Sequence, residues 1–552
     1  MPLMRFIIPF IIICLHFSCK KDENKVNDPP LTVDSVFVNN VYVSNNAVIN
    51  SIDYDDLRIR LKFNRSVDTS QFNRNRLFFS SGIGSEYLHY FGDDAQNLIV
   101  SPAGALNPLS SYRMTFEQGE NLGGTVFNFY TLVFRTVPDS TPKFPIVTDD
   151  ELLTLVQEKT FGYFWDYGHP VSGLARERLG SGELVTSGGS GFGLMAIITG
   201  IERNFISRQE GFERLRKTVN FLIRPETDKY HGAFPHWLNG TTGKTIPFSS
   251  RDNGGDLVET AFLMQGMITV REYFRNGSAE ERAMCDSIQK LWENVDWNWY
   301  RKNSENVLYW HWSPVFSWEL NHQIRGWNEA LIVYVLAAAS PTHSIPTEAY
   351  HQGWGRNGSY PMKNGKTFYN IVLPLGEDLG GPLFFAHYSF MGLDPSVQDI
   401  YANYFAQNEA HSLINYRYCI DNPKNYVGYS KDCWGLTASD IESGYTANSP
   451  NNDRGVIAPA AAIGSFPYTP EESMDALKFF YYVLGDRIWG EYGFYDAFNL
   501  TTLWFADSYL AIDQGPVICM IENHRSGLLW DLFMSSPEIQ AGLDKLSFTI
   551  QP

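Results

Sequence analysis

The hydrophobic pattern of the chain changes its period once, and this change constrains the fold more than any other feature. Between residues 36 and 136 apolar and polar residues alternate, clearly so over residues 57–63, which is typical of half-buried strands. From Asp149 onward apolar residues recur at i, i+3, i+4 and i+7, the pattern of amphipathic helices. The proline-rich stretch VPDSTPKFP, residues 137–145, lies between the two regions. The sequence therefore predicts an all-β module followed by an all-helical one.

The β region is about one hundred residues long, and turn-forming residues interrupt it at strand-scale spacing. Such a pattern predicts a small Ig-like sandwich over residues 34–137, joined by a linker over 138–148. No cluster of acidic and aromatic residues occurs in it. We therefore interpret this module as a spacer.

The helical region, residues 149–552, carries roughly ten to twelve periodic segments and no strand–helix alternation of the kind that predicts a parallel sheet. Helices of ordinary length joined alternately by short and long loops favour an (α/α)6 toroid, with a cleft at one end of its inner ring. The segments run over 151–165, 191–205, 212–223, 256–274, 282–295, 328–340, 396–416, 474–486, 516–534 and 536–546.

Charge and composition narrow the class of function. The net charge is −18 and no basic stripe occurs, which argues against nucleic acid as a partner. Aromatic residues make up 15% of the chain, and many tryptophans stand in Gly-, Asn- and Pro-rich segments rather than in periodic ones. This placement favours a carbohydrate cleft, with a large aromatic core as the alternative.

The first 18 residues read as a signal peptide. Arg5 gives the positive start, and the apolar run 6–15 is too short to span a membrane. Ser18 and Cys19 resemble the end of a bacterial lipoprotein signal, with Cys19 lipidated, and the polar tether over 19–33 looks like that of Bacteroidetes surface lipoproteins. We expect the protein in the cell envelope, on the outer-membrane surface or in the periplasm, with this lipid as its only membrane contact.

Cysteine and histidine spacing gives no sign of a metal. Apart from Cys14 in the signal and Cys19, four cysteines remain, none in a C-x-x-C pair. Cys419 and Cys433 form either a disulfide or two buried thiols. The histidines show no H-E-x-x-H spacing, and the Gly-rich GGSGFG and DNGGD follow no strand. We predict no metal and no cofactor.

The run HGAFPHWLNGTTGKTIPFSSRDNGGDLVETAF, residues 231–262, combines aromatic rings with two carboxylates. Asp256 and Glu259, three positions apart, lie on one face of a helix. Sugar hydrolysis needs stacking rings and paired carboxyl groups that divide the proton transfers. An equally good interpretation is a capping box, with Asp256 as N-cap and Glu259 at N3.

Four blocks of the helical region resemble one enzyme family: GGSGFGLMAIITGIERNFISR, FPHWLNGTTGKTIPFSSRDNGGDLVETAFLMQG, QIRGWNEALIVYVLAAASPTH and IDQGPVICMIENHRSGLLW. They look like the glycoamylase-like (α/α)6 domain of glycoside hydrolase family 144, and the resemblance covers nearly all of residues 149–550. It implies an inverting β-1,2-glucan hydrolase, endo-acting or releasing sophorose from chain ends. It also implies three acidic positions at the cleft, matched here by Asp256, Glu259 and Glu329.

Candidate roles follow for these carboxyl groups. With the resemblance, Glu329 is the predicted general acid, whereas the residues alone favour a first-turn Glu of the helix EALIVYVLAAA. Asp256 and Glu259 are candidates to polarise substrate hydroxyls or position the attacking water. Asp513, in DQGP, is the other candidate base, with an Asp in a turn before a proline-started helix as the more common alternative. Inversion places acid and base carboxyls roughly 6.5–9.5 Å apart, or further when the base acts through a relay.

Six residues are candidates for binding sugar. Aromatic rings are expected as stacking platforms and the two arginines as donors to hydroxyls, although any one ring can be core and either arginine can pair with a carboxylate. The candidates are Trp237, Trp327, Tyr388, Trp434, Arg251 and Arg325.

The preferred hypothesis is a monomeric inverting hydrolase of β-1,2-glucan or sophoro-oligosaccharides. A surface lipoprotein that binds glycan without cleaving it would need the rings but not the buried carboxylates. A glucoamylase-like enzyme on another glucan is a further alternative. A polysaccharide lyase is disfavoured because an acidic cleft repels an anionic polymer.

Overall fold

The structure, a computed structural model, describes residues 29–80 and 86–550. The signal-like segment, Cys19 and most of the tether lie outside these residues, so the expectations for them stay predictions. The chain divides into two compact units, Met1–Thr136 and Val137–Pro552. The division falls at the start of the proline-rich stretch.

The first unit is built from strands that form two main sheets. One sheet has the order β2-β1-β4-β7-β6 and the other β3-β11-β8-β5, with β3 parallel to β11 and the remaining pairs antiparallel. The strands are β1 (Val33–Val38), β2 (Val41–Val43), β3 (Ala47–Ile52), β4 (Ile59–Phe63), β5 (Leu77–Phe79), β6 (Tyr87–Phe91), β7 (Asn97–Pro102), β8 (Ser111–Phe116), β9 (Gly119–Asn121), β10 (Gly124–Val126) and β11 (Tyr130–Thr136).

The alternation read from the sequence explains how these two sheets pack. In β4, Ile59, Leu61 and Phe63 are fully buried while the residues between them are not. The ring of Phe63 meets that of Phe116 on the other sheet, with centroids 5.9 Å apart. Both sheets thus contribute their apolar faces to one core.

The second unit is predominantly helical among the residues described. Its α-helices are α1 (Asp149–Trp165), α2 (Ser187–Glu202), α3 (Arg208–Ile223), α4 (Leu257–Phe274), α5 (Ala279–Glu293), α6 (Leu331–Ala339), α7 (Thr347–Ala349), α8 (Tyr404–Asp421), α9 (Pro459–Gly464), α10 (Pro470–Lys478), α11 (Gly485–Ile488), α12 (Ala511–Ser526), α13 (Leu528–Met534) and α14 (Pro537–Lys545).

These helices fall into two kinds according to burial. Almost every residue of α2, α4, α6, α9 and α12 is buried, whereas α3, α5, α10 and α14 bury one face only. The buried helices contact one another in the sequence α9, α12, α2, α4, α6, and the amphipathic ones pack against them. The apolar stripe of an amphipathic helix is covered in this way, while a helix apolar on all sides is enclosed.

Glycines allow α2 and α4 to approach unusually closely. A Cβ added to Gly191 would lie 2.1 Å from the carbonyl oxygen of Phe262, and one added to Gly266 would lie 2.1 Å from that of Gly191. The Gly-rich GGSGFG is therefore a helix–helix contact.

The predicted helices differ from the structure at three places. Residues 396–403 are not helical, and α8 begins only at Tyr404, after Asn403, whose side chain caps it. The segment 474–486 is interrupted by a π-helical turn over Phe479–Val483. The last long segment begins at Ala511 rather than at Pro516, which lies inside α12.

Short strands, which the sequence did not predict, position the loops before the buried helices. β12 (Leu184–Thr186), β13 (Trp237–Asn239) and β14 (Thr245–Ile246) form one small sheet, and β15 (Gly255–Asp256) pairs with β16 (His311–Trp312). They bring the starts of α2 and α4 next to aromatic loops.

None of the helices within residues 29–80 and 86–550 has the length and apolar character needed to cross a bilayer. The four cysteines of this part of the chain are buried free thiols, so the structure shows Cys419 and Cys433 unpaired.

Candidate active site

A cavity of about 470 Å³ lies where the N-terminal ends of buried helices meet. Thr186 is the residue just before α2, Glu259 is in the first turn of α4, and Ile512 is in that of α12. The wall is mainly aromatic and aliphatic, with two carboxylates, an arginine and a histidine. The lining residues are Glu177, Arg178, Thr186, His236, Trp237, Phe248, Glu259, Phe384, Tyr388, Ala438, Tyr445, Ala447, Leu510 and Ile512.

Asp256 is both a helix cap and a partner of two rings. Its Oδ1 accepts the backbone N–H groups of Val258 and Glu259, at 3.0 and 2.9 Å, so it is the N-cap of α4. Its Oδ2 accepts Nε1 of Trp310 at 3.1 Å and lies 3.1 Å from Nδ1 of His236. The carboxylate is fully buried. The predicted N-cap is confirmed, whereas the reciprocal half of the capping box is wrong, because the side chain of Glu259 bonds to the first turn of α2 instead.

His236 lies between the two carboxylates of α4. Its Nδ1 faces Asp256, and its Nε2 is 3.8 Å from Oε1 of Glu259. Burial alone would lower the pKa of His236, but the charges of Glu259 and Asp256 outweigh it and raise the pKa to about 9. The imidazole is thus positively charged near neutral pH, and its ring stacks on Phe248 with centroids 4.2 Å apart.

Glu259 is held by the first turn of α2. Its Oε2 accepts the backbone N–H of Gly188 at 2.7 Å and the hydroxyl of Thr186 at 3.3 Å. A Cβ on residue 188 would lie 2.6 Å from this oxygen, so glycine is required there. Burial raises the pKa of Glu259, and the charge on His236 counteracts part of that rise.

Glu329 lies in the turn immediately before α6, which begins at Leu331 and not at Glu329 as predicted. Ser389 donates a hydrogen bond to its carbonyl oxygen and accepts one from Ile332, which fixes the turn. The side chain is partly exposed, yet burial raises its pKa to about 7, with the charges of Asp256 and Glu259 adding to the rise.

Asp513 lies in the first turn of α12 rather than in a turn before it. Tyr388, which lines the cavity, donates a hydrogen bond to its Oδ1 at 3.2 Å. Burial raises the pKa of Asp513 well above its usual range, and the neighbouring Asp496 adds to the rise. The charge of Glu329 also raises the pKa of Tyr388, and neither Glu329 nor Asp513 is among the lining residues of the cavity.

Of the four rings predicted as platforms, the structure places Trp237 and Tyr388 at the cavity. Trp434 is fully buried and its Nε1 donates to the carbonyl of Glu472, so its prediction as a loop platform is wrong. Trp327 is 6% exposed and packs against Phe390 and Tyr404. Trp327 and Trp434 are core residues because the loops that carry them fold inward.

The two predicted arginines do not line the cavity. Arg251 is exposed and pairs with Glu319 at 3.0 Å. Arg325 donates to the side chain of Gln323 at 2.7 Å and to the carbonyl of Gln352 at 3.0 Å. Their predicted role in sugar binding finds no support in these contacts.

The arginine that does line the cavity, Arg178, was missed. It pairs with Glu177 at 3.0 Å and with Asp440 at 3.2 Å. His236, Asp496 and Tyr445 were also missed as site residues. Their partners are distant in sequence, so no short motif identifies these residues as part of a site. For His236 alone, the surrounding aromatic run was a usable signal in the sequence.

His236, Asp252 and Asp256 place ligand atoms within 4.8 Å of one another, a grouping that could hold a metal ion. The sequence spacing did not predict it. The oxygens of Asp256 already accept two backbone N–H groups and the indole N–H, and His236 carries a proton near neutral pH. A cation would have to compete with these N–H groups for the oxygens of Asp256 and remove the proton of His236, so the donor set fits a hydrogen-bonded network better than a metal.

The fold and this site define a helical protein in which the ends of buried helices present carboxylates to an aromatic-lined cavity. Residues 321–537 match the family model Glycoamylase, described as "Putative glucoamylase". The crystal structure of an endo-β-1,2-glucanase from Chitinophaga pinensis is 53% identical, with a TM-score of 0.71 over 73% of this chain and 99% of that one. That of a β-1,2-glucanase from Parabacteroides distasonis is 40% identical, with a TM-score of 0.71 over 91% and 73%.

A curated relative, the exo-β-1,2-glucooligosaccharide sophorohydrolase (non-reducing end) of Parabacteroides distasonis, is 48% identical over 421 residues. The match covers 72% of this chain and spans 58% of the length of that relative. The chain belongs to the glycoamylase-like family.

Proposed function

We propose that this protein is an inverting glycoside hydrolase of family 144 that cleaves β-1,2-glucan or sophoro-oligosaccharides. Two relatives in the family are named as β-1,2-glucanases and one as a sophorohydrolase. The observation that carries the proposal is the position of Tyr388, bonded to Asp513 and under the charge of Glu329, in the wall of an aromatic cavity.

Glu329 is the general acid in this proposal. A general acid must hold its proton at the working pH and release it to the leaving oxygen. A pKa of about 7 meets this requirement, whereas an ordinary glutamate would be ionised. Partial exposure of the side chain allows it to reach the glycosidic oxygen.

Asp513 is the base. Its carboxylate takes a proton from the attacking water, directly or through a substrate hydroxyl, while the water oxygen bonds to the anomeric carbon. The bond from that carbon to the leaving oxygen breaks, and the proton of Glu329 goes to the leaving oxygen. The hydrogen bond from Tyr388 orients the carboxylate.

The carboxylates of α4 bind and orient the sugar. Glu259 lines the cavity, and the charged His236 beside it donates to hydroxyl groups or holds Glu259 ionised. The rings of Trp237 and Phe248, with centroids 4.8 Å apart, offer apolar surface for a pyranose face.

The finer architecture belongs to the same proposal. The succession of buried helices supports an (α/α)6 toroid, and the two sheets on one core support an Ig-like module. The N-terminal sequence supports a lipid anchor at Cys19 and a location in the cell envelope. We take the protein to be a monomer.

Incubation of the purified protein with linear β-1,2-glucan, and in parallel with starch, tests the proposal. Sophorose or short sophoro-oligosaccharides are expected, and their sizes distinguish exo from endo attack. Binding of β-1,2-glucan without cleavage would favour the glycan-binding lipoprotein, and cleavage of starch alone would favour a glucoamylase.

A further inference from the structure

We propose that Asp496 is a positioning residue that shares one proton with Asp513 across a buried carboxyl–carboxylate hydrogen bond. The inference rests on the proposed function, since it concerns the base of that reaction. Asp496, like Asp513, is not among the lining residues of the cavity, and in this proposal it acts on substrate only through Asp513.

The geometry of the pair leaves one oxygen of each carboxyl without another partner. Both residues are 3% exposed. Oδ1 of Asp513 accepts the hydroxyl of Tyr388 at 3.2 Å, and Oδ2 of Asp496 accepts the backbone N–H of Asp440 at 2.6 Å. The remaining oxygens, Oδ2 of Asp513 and Oδ1 of Asp496, are buried and find no donor among the described residues. The two side chains lie within hydrogen-bonding range of each other.

Two ionised carboxylates in this arrangement would repel each other, and each would bury an unpaired oxygen. A single proton between them removes both costs, because it gives one O–H···O⁻ bond and leaves one negative charge. Burial raises the pKa of Asp496 to about 7 and that of Asp513 well above its usual range. These directions agree with a pair that keeps a proton near neutral pH.

The charged groups around the pair do not neutralise it. Arg178 is the nearby cation, but it is already bonded to Glu177 and Asp440. Oδ2 of Asp440 accepts a further hydrogen bond from Ser508 at 2.6 Å. Tyr445 and Tyr388 complete the surroundings, and both are neutral near pH 7.

The shared proton affects how Asp513 works as a base. Before attack the pair carries one proton and one negative charge. When water attacks, the pair takes the second proton at Asp513 and becomes neutral, and it returns that proton to solvent after the product leaves. Burial raises the pKa for this second proton, and the hydrogen bond within the pair lowers it.

The substitution Asp496→Asn tests the pairing. The new amide donates a hydrogen bond to Oδ2 of Asp513 and carries no charge, as the protonated Asp496 does, so it reproduces the state that holds the shared proton. We therefore expect the acidic limb of the kcat/KM profile on β-1,2-glucan to stay within about 0.3 pH unit of its native position. If Asp496 were ionised in the active form, loss of its charge would move that limb down by about one pH unit or more.

Asp453→Asn is the matched control. Asp453 is also 3% exposed, accepts the hydroxyls of Tyr418 and Tyr429, and does not line the cavity. Loss of its charge should lower stability without moving the limb. A downward shift of the limb by about one pH unit in folded Asp496→Asn protein would overturn the inference, while absence of hydrolysis by the native protein would overturn the proposed function instead.

Infrared spectroscopy provides a readout that needs neither activity nor Asp496→Asn. The difference spectrum between native and Asp513→Asn protein at pH 7 should show loss of one protonated-carboxyl band if the proton is shared. Loss of a carboxylate band alone would mean that Asp513 is an ordinary ionised aspartate, and would refute the pairing.

Discussion

Nδ1 of His236 donates a hydrogen bond to Oδ2 of Asp256 across 3.1 Å, at the entrance to α4. The same aspartate caps that helix through its other oxygen. One buried side chain therefore fixes both where the helix begins and how the imidazole faces the cavity. Helix geometry and site geometry are coupled at this residue.

The coupling makes Asp256→Asn an informative change. Asparagine caps a helix about as well as aspartate. With its oxygen kept at the cap, however, its NH2 group would point at the N–H groups of Trp310 and His236, three donors without an acceptor. We expect a loss of stability of about 1–3 kcal/mol and a clear fall in turnover, measured by thermal unfolding and steady-state kinetics.

A lower pKa of His236, read by NMR titration, should accompany that fall, since one of the two neighbouring carboxylates has lost its charge. Near-normal kinetics together with an unchanged melting temperature would show that Asp256 is a helix cap and nothing more.

The pKa of Glu329 predicts the alkaline side of the activity profile. An acid with a pKa of about 7 loses its proton above that pH, so kcat/KM should fall tenfold per unit once the pH exceeds about 7. Glu329→Gln should lower turnover by roughly a hundredfold or more and remove this limb, while leaving binding intact. A profile flat to pH 9 would argue against Glu329 as the acid.

The same raised pKa should make the free energy of unfolding depend on pH. The pKa of Glu329 is raised from 4.5 unfolded to about 7 folded, so its burial costs nothing below pH 4.5. Between pH 4.5 and about 7 the unfolded chain ionises while the folded protein keeps its proton, so stability falls across this interval and levels off above it. Glu329→Gln should therefore melt like the native protein at pH 4 but be more stable at pH 8.

At pH 8 the free energy of unfolding of Glu329→Gln should exceed that of the native protein by about 1–3 kcal/mol. The lower end of this range is expected because the side chain is partly exposed. Glu293→Gln, at the end of α5 and outside the cavity lining, is a suitable control, and its stability should not change in this way with pH. An equal effect of Glu329→Gln at both pH values would contradict the desolvated carboxyl.

The helical unit should work without the β module, but only if it starts early enough. Phe144 stacks on Tyr481 with centroids 4.6 Å apart, and the N–H of Lys143 donates to the carbonyl of Tyr482 at 2.8 Å. A fragment of residues 137–552 keeps these contacts, whereas one of residues 149–552 loses them.

We expect the longer fragment to be folded by circular dichroism and to keep most of its turnover on soluble oligosaccharides. The shorter one should melt at a lower temperature. A longer fragment that is helical yet inactive would mean that the β module contributes to the reaction.

The sequence predicts long periodic elements well and short ones poorly. α4 and α5 follow their apolar period closely, because burial of a stripe depends on residues within the helix. β15 and β16 are two residues each and pair across more than fifty positions, so no local pattern reveals them. The predicted start of α12 at Pro516 is wrong because a proline commonly begins a helix, whereas this proline is the sixth residue of α12, where it removes one backbone hydrogen bond.

The candidate site, too, was predictable only where its residues are close together in the sequence. Asp256 and Glu259 were found together because one helix turn carries both. Asp496 and Asp440 lie near Asp513 only because of tertiary packing, and the residues beside them in the sequence do not indicate this proximity. Trp434 was misjudged because a tryptophan in a polar loop was assumed to face solvent, whereas its loop folds back and buries it.

The configuration of the first product tests the central claim most directly. Native protein is mixed with linear β-1,2-glucan, and the anomeric protons are followed by NMR during the first minutes, before mutarotation. Inversion by Glu329 and Asp513 predicts that the α-anomer of the new reducing end appears first. First appearance of the β-anomer, or no cleavage of β-1,2-glucan at all, would contradict the account.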